Sequence, residues 1–554
     1  MIKEDIIYLA AVIIAVVFHQ AAKYRKITDE NPALEYTALV PLVGTMFSLT
    51  GVGFEKALMP LYAGAGLYSL CYGFRGRKKT IAAGAAALVL GAVSAVLCLV
   101  SGDYRRPTYM TEFDEMFSMM RKYYVLTDYK KIDWDGIYEK YSPQVEALET
   151  GMDDEYAEIC FRMSNEFNDR HISIIPSNAA NEKAVWNVID MVCGKDPGFS
   201  AVKLEDGRIL ACCVDEDSDA YRAGMRNGSE LTAFDGREIN EYIDSTEPEF
   251  TSFSDRDNLE FFRPIAAFGT ENDKAEVTFR DESGKETTAE VTASGKYAER
   301  IRQVGRTLFG DTDEYYNLSW RDLGGGTACL VMGDFMNDPA LFKEMTADKL
   351  NEMHDKYDYP IIKIRMDHVM KEMKDAGISR LVIDLRNNGG GDVGQCGFIA
   401  SYFTDEKLFM AAEEYKDHIT GKSVVTEPLY TDVETKMWDD GEIVLLVGSE
   451  TASAAEIFAR AMSKLPNVTV MGMTDTSGVA MGVGSVSFER ECVQFPMIRM
   501  VDENGDILID SDTDMQGGLK IDIKLPLDEQ AFDDIFIDGK DYMLERAQEY
   551  LNSK

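Results

Sequence analysis

Two short stretches hold residue types whose spacing could do chemistry. Thr451-Ala452-Ser453-Ala454-Ala455-Glu456 sets a serine where the apolar run Ile443–Val447 gives way to an apolar-periodic helix, Ala454–Ala461. Asp384-Leu385-Arg386-Asn387-Asn388-Gly389-Gly390-Gly391 ends a second apolar run, Leu381–Leu385, in a turn of glycines. A serine at a helix N-terminus beside a turn that offers only backbone N–H groups suits a nucleophile next to an oxyanion hole. Read alone, Ser453 is a helix-capping serine; beside the glycine turn, the nucleophile reading outweighs that one. The helix dipole behind it favours developing negative charge. The implied chemistry is hydrolysis by a serine whose hydroxyl is weak until a base removes its proton.

The elements that would position these residues read as follows. Over 320–551 strands and helices alternate, which implies an α/β domain. Thr327–Met332, Leu381–Leu385, Ile443–Val447 and Val468–Met471 are the strands. Lys363–Lys374, Gly397–Phe403 and Ala454–Lys464 are the helices. Over 190–295 short strands dominate, with paired glycines in Ala223-Gly224-Met225-Arg226-Asn227-Gly228, a helix start at Asp219-Ala220 and a hairpin turn at Asp235-Gly236. This segment resembles a PDZ domain, which binds an extended peptide by adding it as a strand. Over 105–182 apolar residues recur at helical spacing (Phe113, Met116, Phe117, Met120; Tyr156, Ile159, Cys160, Met163), so a helical subdomain is expected.

Residues 1–104 carry four apolar runs without Asp, Glu, Lys or Arg: Ile6–Ala22, Tyr36–Gly53, Ala57–Phe74 and Thr80–Val100. Each is near the roughly 20 residues that span a bilayer as a helix. They predict a membrane anchor of four transmembrane helices. Lys23, Arg25 and Lys26 follow the first run, and Arg75, Arg77, Lys78 and Lys79 follow the third. The positive-inside rule puts those loops in the cytoplasm and the rest of the chain outside it. The expected localisation is therefore multi-pass in the cell membrane, with the catalytic part extracytoplasmic.

Composition narrows the function further. The 554 residues carry a formal net charge of −39. A body this acidic repels phosphate backbones and argues against nucleic-acid binding. The nine cysteines include no C-x-x-C pair and no disulfide-like spacing, so neither a metal site nor any other cofactor is expected.

The two signatures together resemble those of the tail-specific, C-terminal-processing serine peptidases and the tricorn core protease. The order helical segment, PDZ-like segment, catalytic domain matches as well, and the resemblance covers roughly 107–550. It implies a crotonase-like (ClpP-like) α/β catalytic domain, Ser453 as nucleophile, and an oxyanion hole from the N–H groups of Gly390 and Ala454. One branch of the family uses a lysine after the serine. Here Val479 or Val483 stands in its place, and Lys464 sits at the far end of the serine helix. Asp169-Arg170-His171-Ile172-Ser173 resembles the Asp-Gly-His-Ser/Thr motif of the tricorn-like branch, which implies His171 as general base. His19, His354, His368 and His418 match no motif. The same branch implies an acid beyond the hairpin at Asn504-Gly505: Asp510 first, then Asp514, with Asp512 a further choice. Glu456 reads as structural.

The resulting expectation is a membrane-anchored serine endopeptidase that acts on polypeptides outside the cytoplasm and holds substrate on the PDZ-like domain. The rival is an inactive peptidase fold that binds peptides as a scaffold, motivated by the missing lysine and by Arg170 beside the base. Neither the physiological substrate nor the oligomeric state is legible.

Overall fold

The computed structural model describes residues 108–176, 182–310, 318–336, 359–416, 423–431 and 435–554. The chain divides after Thr111 into two units, and Glu112–Lys554 holds the elements that matter here.

Helices come first: α1 (Tyr109–Tyr123), α2 (Thr127–Lys130), α3 (Trp134–Glu146) and α4 (Asp153–Asn165). Their packed faces are those the helical spacing marks out: Phe113, Met116 and Met120 on α1, and Tyr156, Cys160 and Met163 on α4, are all fully buried. The strand β1 (Ser173–Pro176) and helix α5 (Glu182–Cys193) follow.

A β-rich layer comes next. It contains β2 (Ser200–Lys203), β3 (Ile209–Cys212), α6 (Asp219–Arg222), β4 (Glu230–Phe234), β5 (Arg237–Glu238), α7 (Ile239–Asp244), α8 (Arg256–Ala266), β6 (Lys274–Arg280) and β7 (Glu286–Thr292). Its sheet runs β2-β3-β4-β6-β7, with β5 paired to β4. The turn at Asp235-Gly236 has positive φ at both residues, 47° and 71°, as a tight hairpin requires. Helix α9 (Tyr297–Phe309) leads out.

The last part contains β8 (Ser319–Gly324), β9 (Thr327–Val331), α10 (Pro360–Asp375), β10 (Arg380–Asp384), α11 (Val393–Ala400), β11 (Phe409–Lys416), β12 (Ser423–Val425), β13 (Leu429–Tyr430), β14 (Ile443–Val447), α12 (Ala454–Met462), β15 (Val468–Gly472), β16 (Gly482–Ser487), β17 (Glu491–Val501), β18 (Ile523–Lys524), α13 (Glu529–Phe532) and α14 (Tyr542–Asn552). One sheet has the order β18-β15-β14-β10-β9-β8 and is parallel except for the β8 edge. Every residue of β9 and β14 is buried, as expected of parallel strands covered on both faces. A second sheet, β1-β17-β11-β12, takes its first strand from the helical segment: Ser173 pairs with Gln494 and Ile174 with Val493.

No helix among the described residues is long and apolar enough to cross a membrane. The longest of them, α10, has 16 residues and carries Lys363, Asp367, Lys371 and Asp375, whereas a span needs about 20 apolar ones. The fold class with four transmembrane helices, the membrane as partner and the multi-pass, extracytoplasmic localisation are corrected on this finding. The four apolar runs of residues 1–104 themselves lie outside the described residues.

The turn after β10 is anchored by Arg386, 1% exposed. Its guanidinium meets Asp384 at 2.7 and 3.0 Å and Asp541, which opens α14, at 2.7 and 2.9 Å. A two-carboxylate fork of this kind is satisfied only while all three members are present. Arg386→Met leaves two carboxylates without their cation, and the expected cost is about 3–5 kcal/mol. Urea unfolding should show the midpoint fall with its slope unchanged.

Candidate active site

The glycine turn and the serine loop are stitched together. Thr451 Oγ1 donates to Leu385 O at 2.7 Å, and Ala452 N donates to Asn388 O at 3.0 Å. Gly390 has φ +105°, open to glycine and strained for other residues. A Cβ built there would lie 2.6 Å from Ser453 Cβ and 2.9 Å from Ala454 N. The Gly390 backbone is therefore pressed against the serine and against the first N–H of α12. Ser453 itself has φ +56° and ψ −125°, a conformation that strains a residue with a side chain. That strain is held by two acceptors of its N–H, Val479 O at 2.7 Å and Glu456 Oε2 at 3.2 Å. Gly390 N–H donates to Asn388 Oδ1 at 2.9 Å.

Glu456 is completely buried and gathers this loop. Besides Ser453 N, it accepts from Gly478 N at 2.8 Å, Val479 N at 2.9 Å and the Thr476 hydroxyl. Burial pushes its carboxyl up to about 8, against the pull of those donors.

His171 lies on the turn before β1. Asp169 shapes that turn: its Oδ1 accepts His171 N at 2.9 Å and its Oδ2 accepts the Tyr124 hydroxyl at 2.6 Å. Arg170 fastens the turn to the segment before the serine, donating to Ser449 O at 2.8 Å and pairing with Glu450. The side chain of His171 is half-buried, but its Nδ1 is out of reach of water and has no partner among the described residues. Burial pushes its pKa down to about 4, so the imidazole is neutral at ordinary pH.

Asp510 is bridged to Val479, the residue whose carbonyl accepts Ser453 N. Its Oδ1 lies 2.7 Å from Lys130 Nζ, while its buried Oδ2 has no partner among the described residues. Burial lifts its carboxyl to about 7, with Lys130 opposing the rise.

The comparisons with known proteins bear on this arrangement. Residues 350–525 match the model of peptidase family S41, and residues 106–165 match that of the tricorn protease C1 domain. The chain carries a serine-peptidase domain of family S41. That S41 domain contains Gly390, Ser453, Ala454 and Asp510, whereas His171 lies outside both matched segments. Two "Probable CtpA-like serine protease" sequences, of Staphylococcus aureus strains N315 and Mu50, are 33% identical over 127 residues. Those residues are 23% of this chain and 23% of each relative, so the match spans about a quarter of either length. Crystal structures of mature CPAF, free and with lactacystin, superpose with TM-scores of 0.51 and 0.50 at 14% identity. They cover 80% of this chain and 95% and 97% of theirs, a likeness of fold alone.

Around the S41 domain, the structure brings Ser453, Ala454 and Gly390 together directly, and Asp510 to the same loop through Val479. The turn that carries His171 is tied by Arg170 to Ser449 and Glu450, and His171 shares no side-chain hydrogen bond with Asp510. Asp512 turns its carboxylate onto Asp514 N and Gln516 N, and Asp514 is exposed, so neither second choice faces the site. Val479 is 1% exposed and locked in backbone pairing, whereas Val483 is 38% exposed on β16. Lys464 pairs with Glu503 at 2.7 Å, and His368 with Glu372 at 3.2 Å. His19, His354 and His418 lie outside the described residues. Among the described residues no group of three or more His, Cys, Asp or Glu could hold a metal ion.

Three residues escaped the sequence reading in part or whole. Arg170, taken there as a departure from a motif, is a tether. Glu456 organises the nucleophile loop, and its position three residues into a helix led by serine was the available sign. Lys130 stands in a polar run, Thr127-Asp128-Tyr129-Lys130-Lys131, with nothing to mark it. Glu456→Gln turns an amide nitrogen toward N–H donors, and is expected to cost about 1–3 kcal/mol of stability. It should also lower kcat with KM little changed. Denaturant unfolding and steady-state kinetics check both.

Proposed function

We propose that the chain is a serine endopeptidase of the C-terminal-processing kind, of the tricorn-like Ser-His branch, acting on polypeptide substrates. The observation that carries this reading is the contact of the Gly390 backbone with a strained Ser453 at the head of α12. An ordinary helix cap needs neither the strain nor the glycine.

In this reading Ser453 Oγ attacks the scissile carbonyl carbon while His171 Nε2 takes its proton. The carbonyl oxygen becomes an oxyanion held by the N–H groups of Gly390 and Ala454, with the α12 dipole behind them. The Gly390 N–H exchanges its Asn388 acceptor for the oxyanion as charge develops. The imidazolium returns its proton to the leaving amine, and water cleaves the acyl ester by the same steps in reverse. A histidine with a depressed pKa enters this cycle neutral, as a base must. Asp510 stands behind His171 and stabilises the cation it becomes. The β-rich layer over 190–295 acts as the PDZ-like domain and binds an extended substrate segment by strand addition.

The second reading, a peptide-binding scaffold without turnover, draws on the same atoms: His171 Nδ1 without a partner among the described residues, and Gly390 N–H already bonded to Asn388. A fluorophosphonate probe on the full chain separates the two. Labelling that maps to Ser453 and vanishes in His171→Ala supports the hydrolase. Ser453→Ala should lower cleavage of an unfolded protein substrate by about 10⁴-fold or more, with circular dichroism unchanged. A folded protein that neither labels nor cleaves would leave the scaffold.

A further inference from the structure

Lys130 is a buried ammonium from the helical segment, and nothing in the proposed cycle uses it. Its side chain is 3% exposed and that of Asp510 0%, with Nζ 2.7 Å from Asp510 Oδ1. Nζ also donates to Ser511 Oγ at 2.5 Å and to Asn168 O at 3.3 Å. Asn168 opens the turn that continues through Asp169 and Arg170 to His171. One cation thus ties the candidate acid to the backbone that carries the candidate base. Burying an ammonium is costly unless it is paired and hydrogen-bonded, and here three acceptors surround it.

The second observation is a complementary pair of orphans. Asp510 Oδ2 and His171 Nδ1 are both buried, and both lack a partner among the described residues. Neutral imidazole can carry a proton on Nδ1, and a carboxylate oxygen accepts one. We infer that Lys130 is a positioning residue of the hydrolytic site: by taking Oδ1 it fixes the Asp510 carboxylate in ionised form and reserves Oδ2 for His171 Nδ1–H. This rests on the hydrolase reading above and adds to it a cation supplied by the helical segment.

The charges around Asp510 make the direction of the effect definite. Tyr124 and Tyr129 face it from the helical segment, Asp169 from the His171 turn and Glu456 from α12. His171 shares two of these charges, Asp169 and Lys130, and is also acted on by Arg170. Burial and Asp169 favour the neutral acid, and Lys130 opposes them. The carboxylate is the form present above about 7. Activity should therefore fall as pH is lowered through that value, while His171, already neutral above about 4, sets no limit there. Without the ammonium the midpoint moves to higher pH.

The test compares the full-length wild type with Lys130→Met and Lys130→Arg, reading kcat/KM on a fluorogenic unfolded protein substrate from pH 5 to 10. Lys130→Met should lose about 10-fold or more at pH 7 and regain much of it near pH 9, its acid limb displaced upward by about one unit or more. Lys130→Arg keeps the charge and should keep the limb near its wild-type place. A merely structural ion pair predicts otherwise: removing one partner destabilises the fold, and the activity of the remaining folded protein falls alike at every pH, with its acid limb in place. Full activity in Lys130→Met, or a loss equal at every pH, overturns the inference. Should Lys130→Met not fold, Lys130→Gln carries the same comparison. The Asp510 carboxyl is also titrated by NMR in ¹³C-aspartate-labelled protein, assigned by its loss in Asp510→Asn. This readout needs no turnover. If the wild type neither cleaves nor labels, the hydrolase reading falls on its own, and an Asp510 midpoint unmoved by Lys130→Met overturns the role of the lysine separately.

Discussion

The arrangement depends on one close approach, the Gly390 backbone against Ser453. A Cβ at residue 390 would sit 2.6 Å from that of the serine, closer than two carbons can pack. The site is thus built on the absence of a side chain. From that contact follow the positive φ of Gly390, the stitching of Thr451 and Ala452 to the glycine turn, and the strained φ of Ser453. Strain of this kind persists only where surroundings over-determine it.

Two buried clusters, one ionic and one of hydrogen bonds, provide that over-determination. Arg386 pins the start of the glycine turn to Asp384 and to the head of α14. Glu456 collects donors from Ser453, Thr476, Gly478 and Val479 and so holds the serine loop against the segment that runs on to β16. Each is a buried polar side chain whose burial is tolerated only because its partners satisfy it. Such clusters are specific: they admit one arrangement of the loops and penalise neighbouring ones.

The parts of this legible in the sequence were the local ones. Ser453 between an apolar strand and a periodic helix, and Gly390 in its turn, announced themselves within a dozen residues, as did β10, β14 and α12. Asp510 could be ranked above Asp512 and Asp514 only by resemblance; the structure separates them by burial and by the Val479 bridge. Lys130 could not be seen at all. Its partner Ser511 is 381 residues away, and a lysine in a polar run is indistinguishable from a solvated one until the chain is folded. Arg170 was misread for the same reason, since its acceptor at Ser449 is 279 residues distant. The four apolar runs show the opposite failure. Length and hydropathy were plain there, and the membrane-spanning fold drawn from them did not survive.

The pairing of β1 with β17 carries a consequence in time. A chain made from its N-terminus exposes the His171 turn and the β1 edge long before residues 491–510 exist. Until those residues leave the ribosome, β1 has no strand to join and Lys130 has no carboxylate to meet. Contacts this remote also close slowly, because the intervening chain must be ordered first. Whatever chemistry the site performs is therefore withheld from a nascent or truncated chain, and the molecule becomes competent only as its last elements fold into place.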